Sequence, residues 1–176
     1  MSLLLLIDGY NVLAPVAPPN RDPDGRWLQR ERTQLVRRLV EHLTDVQRER
    51  TCVVFDAAGP PVGRPSEFSV EGVEVRFAVG YPEADDLLEE MIAAHSAPKS
   101  LTVVSSDRRV QAAAKRRGSA FSDSQSWLDD LLDGKIESAC ESGNRAGQGT
   151  GEDGSGKPSR VINDQQVEAW LREFGF

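Results

Sequence analysis

Leu3-Leu4-Leu5-Leu6-Ile7 runs without a polar interruption into Asp8. A short, continuous apolar run of this kind fits a central strand of a parallel sheet, covered on both faces. The pattern recurs twice: Thr51-Cys52-Val53-Val54-Phe55 ends at Asp56, and Leu101-Thr102-Val103-Val104-Ser105 leads into Ser106-Asp107. Helical patterns separate these strands. Leu28, Leu35, Val36, Leu39, Leu43 and Val46 predict a long amphipathic helix, and Leu87, Leu88, Met91 and Ile92 predict a second that Pro98 stops. Val110 and Ala112 to Ala114 predict a third, and Trp127, Leu128, Leu131 and Leu132 a last one. Val73, Val75 and Phe77 alternate with Glu74 and Arg76 as a strand nearer the sheet edge, and Ala120-Phe121 forms a short final strand. The expected fold is a three-layer α/β/α sandwich around a central, mainly parallel, five-stranded sheet.

A chain of 176 residues makes one ordinary domain with a sufficient core. Cys52 and Cys140 form no ligand spacing, which indicates a reducing compartment. Residues 3–7 are too short to span a bilayer and lack signal-peptide flanks, so a soluble, cytoplasmic protein is expected; the expected oligomeric state is a monomer. The net charge of −7 argues against a non-specific nucleic-acid coat protein. It does not exclude a nuclease, which needs negative charge at its metal and arginines elsewhere. Residues 14–25 and 59–65, rich in Pro and Gly, read as loops, and the Gly/Ser-rich stretch 141–159 as a flexible one. Val161, Ile162, Val167, Trp170, Leu171 and Phe174 read as a C-terminal helix, 160–176, docking on the same domain.

In an open parallel sheet the ligand crevice lies beyond the carboxyl ends of the strands, where strand order reverses. If the strands at 3–7 and 101–105 are neighbours there, Asp8 and Asp107 face each other, and Asp85 or Asp86 arrives from the helix opened by Glu83-Ala84-Asp85-Asp86. Gathered carboxylates repel unless a cation joins them, and oxygen donors select Mg2+ or Mn2+. Asn11 and Ser106 can hold a carboxylate or a metal-bound water without adding charge, and Asp56 is a supporting acid. Each acid also has an ordinary role open to it: a turn aspartate for Asp8, a helix cap for Asp107, and stabilisation of a helix N-terminus for Asp85 and Asp86. Tyr10 either stacks on a base or packs beside the loop. His42 and His95 sit in helical patterns away from the acids and read as structural. No Gly-x-Gly-x-x-Gly, P-loop or Asp-x-Asp pair follows the first strand, which sets aside dinucleotide, NTPase and aspartyl-phosphate chemistry.

Leu5-Leu6-Ile7-Asp8-Gly9-Tyr10-Asn11-Val12, Val53-Val54-Phe55-Asp56-Ala57, Glu83-Ala84-Asp85-Asp86 and Val104-Ser105-Ser106-Asp107-Arg108 together resemble the motif set of the NYN domain, in the YacP-like group of PIN-like ribonucleases. The resemblance covers roughly residues 3–134 and places the nuclease domain at 1–140. It implies a PIN-like sandwich, an acidic site for Mg2+ or Mn2+, and internal cleavage of RNA. Asp8 and Asp85 match the main metal-binding acids, Asn11 the residue supporting the first, and Asp107 the acid after the fourth strand. Asp86 stands where relatives often carry glutamate. Arg108 and Arg109, with Tyr10, become candidate substrate contacts, RNA the expected partner, and the ribosome a further candidate partner. The competing readings are an inactive RNA- or ribosome-binding module, and a nuclease or phosphatase acting on DNA or small nucleotides.

Overall fold

The computed structural model describes residues 2–13, 27–57 and 65–136. The expected loop at 14–25, most of that at 59–65, the stretch 141–159, the helix at 160–176 and Cys140 fall outside the described residues. The strands are β1 (Leu5–Asp8), β2 (Thr51–Phe55), β3 (Glu67–Val70), β4 (Val73–Phe77), β5 (Thr102–Val104) and β6 (Ala120–Ser122). The helices are α1 (Gly9–Leu13), α2 (Trp27–His42), α3 (Asp45–Arg48), α4 (Ala84–Ala94), α5 (Arg108–Arg117) and α6 (Ser124–Leu132). A 3-10 turn, Pro98–Ser100, precedes β5.

The sheet order is β3-β4-β2-β1-β5-β6. All pairings are parallel except β3 with β4. Chain order runs outward from β1 through β2 and β4 on one side and from β5 to β6 on the other, so the reversal lies between β1 and β5. Side chains alternate across each strand. Leu5, Ile7, Val53, Phe55, Val75 and Val104 pack with Val12 of α1, Leu35, Val36 and Leu39 of α2, and Trp127, Leu128 and Leu131 of α6. Leu6, Cys52, Val54 and Val103 point the other way, onto Leu87, Leu88 and Ile92 of α4 and Val110, Ala113 and Ala114 of α5. The result is the three-layer α/β/α sandwich expected of a PIN-like fold.

Three elements differ from the sequence-based expectation. The sheet has six strands, because Glu67–Val70 pairs antiparallel with β4 through a tight turn at Glu71 and Gly72, whose φ angles of 48° and 95° match a type I′ hairpin. The long helix breaks after His42, where Thr44 and Gln47 form a reciprocal capping box that starts α3 afresh. Asp8-Gly9-Tyr10-Asn11 reads in the sequence as a tight turn after the first strand, whereas Gly9 opens the short helix α1. A Cβ at Gly9 would overlap the Phe55 ring and come within 2.9 Å of the Val54 carbonyl oxygen. Only a residue without a side chain lets the chain leave β1 this close to β2.

Candidate active site at the β1–β5 junction

Asp8 is the last residue of β1 and is only 2% exposed. Strand alternation turns it, like Leu6, toward the α4/α5 layer, and it turns Ser105 the same way as Val103. The two meet: Asp8 Oδ2 accepts from Ser105 Oγ at 2.8 Å and from Asn11 Nδ2 at 2.6 Å, while Oδ1 accepts from the Asn11 backbone N–H at 3.2 Å. Ser105 Oγ also accepts from the Asp107 N–H at 3.0 Å, which leaves its own proton for Asp8. One hydroxyl thus ties the end of β1 to the start of α5. Burial raises the pKa of Asp8, the Ser105 and Asn11 hydrogen bonds oppose the rise, and the charge of Asp107 adds to it.

Asp107 caps α5, its Oδ1 accepting from the N–H groups of Arg109 at 2.6 Å and Val110 at 3.3 Å. Asp85 lies in the first turn of α4, half-buried. Burial, then the charges of Asp107 and Asp8, push its pKa up to about 6 against the opposing pull of Arg109. Asp8, Asp85 and Asp107 therefore share one electrostatic field at the strand-order reversal.

The other expected residues have different partners. Asp86 is ion-paired with Arg109, which also engages Glu89 and, at 3.5 Å, Glu83. Asp56 Oδ1 accepts from the Ala84 N–H at 3.0 Å, capping α4 in place of Glu83, which makes no side-chain cap, and so fixing where Asp85 sits. Ser106 Oγ donates to Asp123 Oδ2 at 2.6 Å and accepts from the Ser124 N–H at 3.1 Å, fastening the β5–α5 turn to α6. Tyr10 packs edge-on to Phe55 at 5.6 Å and accepts a 2.9 Å hydrogen bond from Arg32 Nε. Arg108 is exposed. His95 is buried beside Ser2 and His42 is exposed, both away from the acids.

Ser105 and Arg32 are the two residues that sequence reasoning missed. Ser105 was legible as the next same-face position after Val103. Arg32 is buried over the rings of Tyr10, Phe55 and Phe77, at 5.3, 5.8 and 5.2 Å, a placement no local pattern reveals. A cavity of about 240 Å³ bordered by Leu5, Thr102, Trp127 and Ile136 lies at the opposite ends of β1 and β5 and plays no part in this arrangement.

Among the described residues, no three His, Cys, Asp or Glu side chains form a ready-made cluster able to hold a metal ion. The donor chemistry nevertheless fits Mg2+ or Mn2+. These ions keep several waters and take only one or two protein carboxylates, completing their shell with substrate phosphates. Three acids in mutual repulsion, one already raised to about 6, are a donor set that a dication would relieve.

The model of the YacP-like NYN domain matches residues 5–170. The chain belongs to that family. The match spans all six strands and every acid above. Two solved structures share the fold. The crystal structure of Rae1 (YacP) from Bacillus subtilis is 25% identical, with 77% of this chain and 76% of that one covered and a TM-score of 0.56. A point mutant of the same protein is 24% identical, with 77% of each chain covered and a TM-score of 0.55. Nothing matches among curated proteins. Membership of this family supports a nuclease function. No helix among the described residues is long and apolar enough to cross a membrane.

Proposed function

We propose that this YacP-like NYN protein is a metal-dependent endoribonuclease that hydrolyses internal phosphodiester bonds of RNA. The reading rests on one observation: Asp85, a carboxylate of raised pKa, faces the charges of Asp8 and Asp107 where strand order reverses. Asp8, Asp85 and Asp107 are the residues to hold Mg2+ or Mn2+. When bound, such an ion supplies a water of lowered pKa and offsets charge on the phosphoryl oxygens. The protein's own part is orientation. Asn11 and Ser105 occupy Oδ2 of Asp8 twice and Oδ1 once, which fixes the carboxylate and leaves Oδ1 the less committed oxygen. Asp56 seats α4, and with it Asp85. Asp86 is committed to Arg109 and serves that ion pair rather than a metal.

Messenger RNA and ribosome-bound RNA are the substrates to try first, in a cytoplasmic setting. The absence of a compact acidic cluster among the described residues favours a second reading, an RNA- or ribosome-binding module without turnover. Labelled structured and unstructured RNA, incubated with Mn2+ or with chelator, separates the two. Internal cleavage that needs Mn2+ and disappears in Asp8→Asn supports the nuclease. RNA binding by both proteins with no cleavage by either supports the module, and faster cutting of DNA moves the substrate assignment.

A further inference from the structure

α5 carries five cations, Arg108, Arg109, Lys115, Arg116 and Arg117, and the fold sorts them. Arg109 and Arg116 sit two turns apart on the flank packed against α4. There Arg109 pairs with Asp86, Glu89 and Glu83, and Arg116 with Glu89 at 3.7 Å. Arg117 Nη2 donates to the His95 carbonyl at 3.1 Å. These three hold α5 to α4 and its following loop.

Arg108 and Lys115 each precede a member of that ion-paired stripe by one residue, so they lie about 100° around the helix from it. Val110, Ala113 and Ala114 occupy the sheet-facing side, which leaves the Arg108 and Lys115 stripe turned to solvent. Both are exposed, and neither has an ion pair among the described residues. The residue between them on this stripe, Ala112, is exposed and small. The stripe begins at the Asp107 cap, beside the acids, and runs about 10 Å along α5. Beside α5 lies the edge strand β6, where Phe121 pairs in register with Val103 and so faces the α5 layer while remaining 44% exposed.

An unpaired cation stripe with a neighbouring exposed aromatic, leading away from a carboxylate site, matches single-stranded nucleic acid: phosphates meet the cations and a base stacks on the ring. On a chain of net charge −7, cations that have no acidic partner among the described residues, at the site's margin, offer the contact that the overall charge does not. We infer that single-stranded RNA tracks along the outer face of α5, its backbone on Arg108 and Lys115 and a base on Phe121. This rests on the nuclease reading and assigns the strand path to and from its acids.

The test uses full-length Asp8→Asn protein and fluorescence anisotropy with a labelled single-stranded RNA across a salt series. Adding Arg108→Ala and Lys115→Ala should weaken binding at least ten-fold at low salt. It should also flatten the slope of log K against log salt by about 1.4, at about 0.7 for each phosphate that is no longer neutralised. Phe121→Ala should weaken binding about ten-fold with the slope unchanged. Arg38→Ala, on α2 in the opposite layer, should change neither. An unchanged slope in the double variant, or a fall matched by Arg38→Ala, overturns the track. If the wild type cuts RNA while the double variant keeps its slope, the nuclease reading stands and the track falls. If the slope drops as expected while the wild type cuts nothing, the track stands as a binding surface and the nuclease reading falls.

Discussion

Ser105 Oγ donates a 2.8 Å hydrogen bond to Asp8 Oδ2 across the β1–β5 junction while accepting one from the Asp107 N–H. Two acids far apart in sequence are thereby held by one buried hydroxyl. Ser105→Ala removes that donor from a buried carboxylate and should cost about 1–3 kcal/mol of stability. Mn2+ affinity should fall about ten-fold, the usual effect of removing a group that orients a metal ligand. Ser105→Thr should restore most of both, measured by thermal unfolding and by calorimetric titration with Mn2+. Full Mn2+ affinity in the alanine variant would show that the hydroxyl does not position Asp8.

Asp85 gives a pH prediction of defined sign. Its folded-state pKa of about 6 lies above the ordinary aspartate value of 3.8, so between those values the folded protein binds more protons than the unfolded chain. Its contribution to stability is therefore favourable below about pH 4 and is lost as pH rises through about 6. In chelator, Asp85→Asn should melt higher than the wild type at pH 8, with the gap shrinking toward pH 5. Mn2+ binding should be lost in the same variant, the usual exchange of site function for stability. A gap that stays constant or widens on acidification contradicts the assignment.

Much of this was legible from residue pattern alone. The apolar runs ending at Asp8 and Asp56, and the run before Ser106-Asp107, indicated the parallel core and put the carboxylates at one edge, because a strand's apolar pattern is local and the carboxyl ends of parallel strands share one edge. The β3 strand was not legible. Phe68 and Val70 are the apolar half of a short edge strand, and its pairing depends on a Glu71-Gly72 turn whose first residue rarely adopts positive φ. Within the site, the sequence reading assigned a supporting role to Ser106 and none to Ser105. Strand alternation after Val103 gives the face of Ser105, and the register of β5 against β1 sets it level with Asp8, while Ser106 turns to Asp123. The ion pairs of Arg109 were not legible either, because its cross-helix acids come from α4, a tertiary neighbour that no local window contains.

Gly9→Ala should destabilise the protein by about 1–3 kcal/mol, because the new methyl group meets the fully buried Phe55 ring and a backbone carbonyl that cannot give way. The displacement would pass to Tyr10, which packs on that ring, and reduce Mn2+ affinity by shifting Asp8 next door. Thermal unfolding and calorimetric titration with Mn2+ read the two effects. A variant of wild-type stability would mean that the β1–α1 junction relaxes freely.

Tyr10→Phe keeps the edge-on contact with Phe55 and removes the hydroxyl that accepts from Arg32. Stability should fall by about 1–2 kcal/mol, since hydrogen bonds to charged donors are the stronger ones. RNA affinity should stay within two-fold if Tyr10 is a packing residue. A large loss of RNA binding at unchanged melting temperature would instead make it a base-stacking group.

Three acids acting together on one ion are the centre of the proposed chemistry, and Mn2+ binding to full-length protein, followed by electron paramagnetic resonance, reads this without any substrate. The wild type should bind Mn2+ at a site that Asp8→Asn and Asp85→Asn each weaken by at least ten-fold, while Asp56→Asn, which retains an oxygen for the Ala84 N–H, changes it little. Indistinguishable Mn2+ binding by the wild type, Asp8→Asn and Asp85→Asn would contradict the shared metal site and the hydrolytic mechanism built on it.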